Sequence, residues 1–420
     1  MKHSEFGKLW GADTISSVGD GITLVAGPLL AAALTRDPVL IAGLMVAERL
    51  PWVLLTLPSG AVVDRVDKRR LMAFAAVLRV AVLGLLGALV ALGHAALPLL
   101  YGVFLLAGCA GVLFENAAST VLPATVGSGS LERANGRLYA TRTLGRDLLA
   151  APLGGTLFAL AAWAPFTLDA AAFVLVAVLC LTLSRTVGAP APGTRRPLPA
   201  AVSEGIRWLL HHSLLRNLGI STTVSNIFLS GILAILVLYA QERLGLGSVG
   251  YGLLLTTIAA GGIAGGLLAP RIAALLGSGR TLRAGLIIET LSQLALALTT
   301  NVIVAGAVLA VLSLHLTVWS TLTASLRQSL APPDMLGRIH SAYRFLSTAG
   351  MLLGAALGGI VANSFGLTAP FWLGTAGATA LTLFAWRPLS DVRARRPPTR
   401  SPEPPQRTAR RDRSRRPQSR

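Results

Sequence analysis

Long apolar stretches alternate with short polar connections along most of this chain. Each stretch covers about 20 residues or more, which is the length of a helix that crosses a lipid bilayer. A longer break near the middle separates six stretches from six others. The predicted spans are residues 11–34, 39–63, 71–93, 96–121, 136–163, 165–184, 218–240, 249–276, 282–300, 302–326, 339–363 and 368–386. The pattern predicts an all-α membrane protein with twelve transmembrane helices in two pseudo-symmetric six-helix bundles.

The connections divide the chain into four predicted segments. Residues 1–184 form the N-terminal bundle and residues 217–387 form the C-terminal bundle. Between them, residues 185–216 are a cytoplasmic linker that is Pro- and Gly-rich at first and then places its apolar side chains on one side, as an amphipathic helix on the membrane surface does. Residues 388–420 have almost no apolar side chains and are predicted to be a disordered, basic cytoplasmic tail.

The composition agrees with a membrane protein and changes how the charge is understood. Hydrophobic residues make up 53% of the chain and charged residues 13%, with a mean hydropathy of +0.66, whereas soluble domains contain about 25% charged residues. The net charge of +19 suits nucleic-acid binding, but twelve Arg and only three acids lie in residues 387–420. We therefore expect no nucleic-acid partner, and we expect the tail to attract anionic lipid head groups.

Lys and Arg are concentrated in every second connection. The loops after even-numbered spans carry most of these side chains, and the odd-numbered loops carry little more than Arg36 and Arg243. Positive loops stay in the cytoplasm, so both termini and the central linker are predicted to be cytoplasmic. The Ala-, Gly-, Arg- and Pro-rich composition is typical of bacteria with GC-rich genomes, which places the protein in a bacterial cytoplasmic (inner) membrane.

The sequence contains no motif for an enzyme or a resident cofactor. No Walker A loop, HExxH or GxSxG motif occurs. Cys109 and Cys180 lie in apolar stretches without a CxxC neighbour, and the pair His211–His212 has no third ligand nearby. We therefore expect no enzymatic activity, no cofactor and no metal site, and ATP is not the direct source of energy.

The loop after the second span carries a specific motif. It reads GAVVDRVDKRR and resembles the signature loop of the major facilitator superfamily, Gly-x-x-x-Asp-Arg-x-Gly-Arg-[Arg/Lys], with Asp67 in place of the second glycine. The resemblance implies a fold that rocks to give alternating access and a latch between the halves at the cytoplasmic side. The candidate latch residues are Gly60, Asp64, Arg65, Lys68 and Arg69, with Glu115 and Arg142 as charged partners.

Two glycine-rich stretches resemble the antiporter motif of the same superfamily. They are residues 350–359 in the eleventh span and 151–155 in the fifth. Close helix packing is the alternative interpretation, because small residues four apart let backbones approach each other. Short stretches in the order 17–21, 48–51, 122–123 with 134–135, and 337–341 further resemble the efflux branch that includes enterobactin and macrolide exporters.

Ionisable side chains within the spans are the candidates for transport chemistry, since charge in the membrane interior is costly. Burial disfavours the charged form of a carboxylate, so Asp20 and Glu289 are the proton-coupling candidates, one in each half; a purely structural role is equally open for both. His315 is interpreted as a packing residue. The candidates for the substrate cavity are Glu48, Arg49, Arg146, Asn226 and Gln293.

Together these features predict a secondary active transporter that acts as a monomer. It would export a small apolar or amphipathic compound, of the drug, antibiotic or siderophore class, in exchange for protons. An importer or uniporter on the same fold is the main alternative. A lipid-handling membrane protein is a further one.

Overall fold

The structure is a computed structural model that describes residues 2–126, 130–184, 198–332 and 335–390. These residues are helical almost throughout, and none of them forms a strand. The helices are α1 Lys2–Leu34, α2 Pro38–Leu54, α3 Thr56–Arg65, α4 Lys68–Ala91, α5 Leu97–Thr125, α6 Leu131–Arg142, α7 Ala150–Leu160, α8 Ala164–Thr182, α9 Leu198–His211, α10 Ser213–Ala234, α11 Ser248–Leu276, α12 Ser278–Leu298, α13 Val302–Leu330, α14 Leu336–Phe365 and α15 Ala369–Ser390.

Nine helices in the described ranges are long and apolar enough to cross a membrane. This confirms the predicted all-α, multi-pass architecture, while the total of twelve spans stays a prediction. Part of the predicted linker, residues 185–197, and part of the predicted tail, residues 391–420, lie outside the described residues. The predicted amphipathic segment contains α9, which buries Leu209 and exposes Leu210.

Three predicted spans are interrupted, and a proline explains two of the interruptions. The third interruption is in span 218–240, where α10 ends at Ala234 and a π-helical segment, Tyr239–Arg243, follows without any proline. The second span divides at Leu55 into α2 and α3. Pro58 follows, and its ring would clash with the carbonyl of Leu54 in a continuous helix. In the fifth span a π-helical segment, Thr143–Leu149, separates α6 from α7. Pro152 lacks the N–H that would bond four residues back, and a π-bulge absorbs such a defect.

The helices pack in two groups that meet along two seams. In the first half, α1 and α4 pack on α8, and α2 and α4 pack on α5. In the second half, α10 packs on α14, α11 on α13, and α12 on α15. The main contacts between the halves are α2 with α14 and α7 with α11. The first and second halves therefore form separate bundles around a shared interface.

The two glycine-rich stretches form these seams. In α7, Gly154 packs on the backbone of α1, while Gly155 faces Ser248 of α11. In α14, Gly358 packs on the backbone of α10, while Gly359 faces the first turn of α2. A Cβ atom at any of these four glycines would lie closer to a neighbouring backbone or side chain than an ordinary van der Waals contact allows. The first glycine of each pair thus allows close packing within its own half, and the second allows close packing between the two halves.

A charged cavity beside an apolar cavity

A cavity of about 350 Å³ lies among the helices of the first half and reaches α14 of the second. Its lining contains five acidic side chains and five arginine side chains. These residues are Asp13, Asp20, Glu48, Glu115 and Asp169, together with Arg49, Arg79, Arg142, Arg146 and Arg344. So many ionisable groups within a membrane-spanning bundle mark a functional site.

The ion pair between Asp20 and Arg79 is at the centre of this cavity. Arg79 Nη1 donates to Asp20 Oδ1, and Arg79 Nε donates to the carbonyl of Ala107 at 3.3 Å. The guanidinium also lies over the ring of Phe173, with Cζ 4.7 Å from the ring centroid. The side chain of Asp20 remains 30% exposed to the cavity. The sequence-predicted acid is thus accessible and paired at the same time.

Asp169 of α8 joins the pair, and the sequence analysis missed it. This residue is 1% exposed, and Thr23 Oγ1 donates to its Oδ2 at 2.5 Å. Its Oδ1 has no hydrogen-bond partner within the described part of the chain. A Cβ at Gly19 would overlap the Asp169 carboxyl, so glycine is required there. A signal was present in the sequence, because Asp169 is the only acidic or basic residue of predicted span 165–184.

A larger, mainly apolar cavity of about 770 Å³ adjoins the charged one. Both halves line it, with side chains such as Ile41 from α2 and Leu255 and Ile258 from α11. The two cavities share five lining residues: Leu24, Glu48, Arg49, Phe104 and Arg146. Three of the predicted substrate-cavity residues therefore lie where polar and apolar surfaces meet.

The other two predicted substrate-cavity residues lie elsewhere. Asn226 Nδ2 donates to Ser347 Oγ at 2.6 Å between α10 and α14. Gln293 is 1% exposed against Gly374, and neither atom of its amide has a partner among the described residues. Neither residue lines the charged or the apolar cavity. Direct contact of these two amides with a substrate stays a prediction.

Glu289, the candidate acid of the second half, is buried without facing either cavity. It is 2% exposed, and Ser225 Oγ donates to its Oε2 at 3.0 Å. His315 Nε2 lies 3.7 Å from the same oxygen. The interpretation of His315 as a lone packing residue is therefore corrected, because this histidine on α13 faces the one carboxylate of α12.

The charged partners predicted for the latch form a network in the first half. Arg142 Nε binds both carboxylate oxygens of Asp13 at 3.0 and 2.9 Å, and its Nη2 lies 2.5 Å from Asp13 Oδ1. Glu115 is a more distant partner, at 4.0 Å from Arg142 Nη1. This network ties α1, α5 and α6 together at one end of the charged cavity.

The signature-like loop is held mainly by its own half. Asp67 caps α4, since its Oδ1 accepts from the backbone N–H groups of Arg69 and Arg70 at 3.0 and 3.4 Å. This gives a physical reason for the departure from glycine. Arg69 Nη1 donates to the carbonyls of Leu181 and Leu183 at the end of α8, at 3.3 and 3.1 Å.

The remaining loop candidates are Gly60, Asp64, Arg65 and Lys68. Lys68 is buried at the start of α4, and Arg65 is exposed in the last turn of α3. The surroundings of Gly60 and of the Asp64 side chain lie outside what the structure describes. The latch role of this loop stays a prediction.

Comparison with known proteins assigns almost the whole chain to one protein family. The family described as transmembrane secretion effector matches residues 1–412. No curated protein sequence matches the chain. The fold is similar to a variant of the nucleoside transporter NupG, with a TM-score of 0.76 at 11% identity over 92% of this chain and 99% of that one.

Two further solved structures share the fold. A bacterial homologue of the lysosomal transporter Spinster, in an inward-facing and unoccupied conformation, has a TM-score of 0.70 at 14% identity, with 93% and 95% of the chains covered. A bacterial homologue of the iron transporter ferroportin, also inward-facing, has a TM-score of 0.73 at 17% identity, with 92% and 99% covered. At these identities the likeness shows the fold alone, and the family match identifies the chain as a transporter of the major facilitator type.

Proposed function

Since the chain belongs to the transmembrane secretion effector family and is a multi-pass membrane transporter, we propose that it exports a small amphipathic compound in exchange for protons. The observation that carries this proposal is the contact between the two cavities. An apolar body fits the larger cavity, and a polar group at its end reaches Glu48, Arg49 and Arg146 at the shared wall. Such a division suits drug-, antibiotic- or siderophore-like compounds.

The arrangement of the seams supports alternating access. Gly155 with Ser248 and Gly359 with Pro38 close the halves at the end that carries loops 35–37 and 244–247. The positive-inside bias places this end outside the cytoplasm. The charged cavity includes Asp13, towards the opposite end of α1. The proposed state therefore loads its compound from the cytoplasm, as an exporter in a bacterial inner membrane does.

Proton exchange is the proposed source of energy. Asp20 faces the charged cavity beside Arg79, so a change in its protonation changes the charge seen by a bound compound. Glu289 is the second candidate, although it lies away from both cavities. Besides the compound and protons, the proposed partners are membrane lipids, with anionic head groups near the basic tail. The transporter is proposed to act as a monomer.

A flux assay tests both direction and coupling. A panel of macrolides, lipophilic dyes and siderophore analogues is first screened for thermal stabilisation of the purified protein. The compounds that stabilise it are then followed in everted membrane vesicles, with vesicles lacking the protein as the control. We expect accumulation that requires an acidic vesicle lumen and stops with a protonophore. Accumulation in right-side-out vesicles that responds to an inward proton gradient would contradict export.

A further inference from the structure

The buried carboxyl group of Asp169 has no role in the function proposed so far. It is nearly inaccessible, it receives one hydrogen bond from Thr23, and its Oδ1 has no partner in the described ranges. Ionising a buried carboxyl group is costly when one of its oxygens has no hydrogen-bond donor. The same carboxyl lines the charged cavity. In this arrangement Asp169 is best accommodated with a proton attached.

Arg79 lies within reach of this second carboxyl. Phe173 follows Asp169 by one helical turn, so the two side chains project from the same face of α8 about 5–6 Å apart. The guanidinium of Arg79 sits over Phe173 while it is paired with Asp20. The guanidinium therefore lies about one turn of α8 from the Asp169 side chain. Gly111 makes room for the Arg79 guanidinium, since a Cβ at position 111 would lie only 2.8 Å from Arg79 Nη2.

We propose that Asp169 is a second proton-carrying acid of the first half and that Arg79 exchanges between Asp20 and Asp169. This proposal rests on proton antiport as the proposed function. The set contains two carboxyl groups, one guanidinium and one proton, and its net charge is zero. When Arg79 turns to Asp169, the Asp169 O–H bond breaks and the proton passes through the cavity to Asp20. Asp20 then releases it, and a proton from the other side restores Asp169.

Other charged groups face the same cavity from α1, α2, α5, α6, the π-helical segment and α14. They are Asp13, Glu48, Arg49, Glu115, Arg142, Arg146 and Arg344. Arg142 also has two acidic neighbours, but it already binds both oxygens of Asp13, and it and Glu115 are 40% and 42% exposed. Water screens such a pair. Asp13 is buried as well, but both of its oxygens are bound by Arg142, whereas Oδ1 of the buried Asp169 has no hydrogen-bond partner in the described residues.

Infrared difference spectroscopy tests this inference without a known transported compound. The full-length protein in lipid nanodiscs is compared between alkaline and acidic pH for the C=O stretch of a protonated carboxylic acid. We expect a band that is already present at neutral pH, that is lost in Asp169→Asn and that shifts in frequency in Asp169→Glu. Asp37→Asn, at the cap of α2, is the matched control and should leave the band unchanged. Gel filtration confirms that each variant is folded.

Asp20→Asn tests the shared guanidinium. Without its first partner, Arg79 should pair with Asp169, and the Asp169 band should disappear at neutral pH and return only in acid. A wild-type spectrum without any Asp169-dependent band, or a band unchanged in Asp20→Asn, would overturn the proposal. If the bands behave as expected but a proton gradient drives transport of no compound in the panel, the proposal of proton antiport is wrong. The proposal that Arg79 exchanges between Asp20 and Asp169 is then retained.

Discussion

The two halves of the transporter place opposite charges at corresponding positions. Arg79 lies eleven residues after Lys68, the first residue of α4, and Glu289 lies eleven residues after Ser278, the first residue of α12. In the predicted repeat, α4 and α12 are the third span of each half. The helices correspond, but one carries a cation and the other an acid.

The surroundings of these two charges differ as well. Arg79 meets acids from α1 and α8 next to a cavity. Glu289 meets Ser225 and His315 in a closed interior. The comparison shows that the two halves share their helix packing, including a glycine pair in each, but differ in the buried charged residues and their partners. We therefore propose that proton exchange with a compound takes place in the first half and that the second half has a supporting role.

The largest effect is expected when Arg79 is replaced by Gln. Two carboxyl groups then share a site without a cation, and loss of one member of a buried ion pair costs about 3 kcal/mol. We expect a clear fall in the thermal unfolding temperature and loss of gradient-driven efflux, with Arg79→Lys recovering part of both. The matching change in the second half, His315→Gln, should leave efflux unchanged. Equal losses of efflux in both variants would remove the distinction between the halves.

A second comparison uses Glu289→Ala and Glu289→Gln. Alanine removes the acceptor of Ser225 and the neighbour of His315, and leaving a buried polar group unpaired costs about 2 kcal/mol. Glutamine keeps an acceptor and should cost less than half of that. Thermal unfolding in nanodiscs measures both. If Gln were as damaging as Ala, the charge of Glu289 would be essential and a coupling role for it would regain support.

A third test compares two close packing contacts, one in each half. Gly19 of α1 makes room for Asp169, and Gly374 of α15 makes room for Gln293. Alanine at either position overpacks the site, at about 1–2 kcal/mol. Only Gly19→Ala should also reduce efflux, because it displaces an acid of the charged cavity. Gly102→Ala, with no atom within 4 Å of the added Cβ, is the control. Impaired efflux in Gly374→Ala alone would reverse the expectation.

The smallest expected effect is a gain in stability. Both amide atoms of Gln293 are buried without partners in the described residues, so Gln293→Leu removes an unsatisfied polar group at similar volume. We expect the free energy of unfolding to rise by about 1 kcal/mol. A fall in stability together with weaker binding of a stabilising compound would instead show that this amide has a partner in another state.

The sequence predicted the helical architecture well because span length and apolar composition act locally. The breaks at Leu55 and in Thr143–Leu149 were missed, since a proline in a span was not weighed as an interruption. The break at Ile235 was missed because no proline marks it in the sequence. Asp20, Glu48, Arg49 and Arg146 were identified because charge within a span is visible in the sequence alone.

The three-dimensional partners were harder to predict. The contact of His315 with Glu289 and the burial of Asp169 against Gly19 depend on which faces of different helices meet. Residue spacing along one helix does not contain that information. Asp169 was detectable only as the single acid of its span, and its role required the positions of Arg79 and Phe173.

The most direct test of the central claim compares two variants in proteoliposomes. For Asp20→Asn and Glu289→Gln, efflux of a compound driven by a pH gradient is measured beside its exchange down its own gradient at equal pH. The account predicts that Asp20→Asn loses driven efflux but keeps exchange, while Glu289→Gln keeps both. Full driven efflux in Asp20→Asn would contradict proton coupling through the charged cavity of the first half.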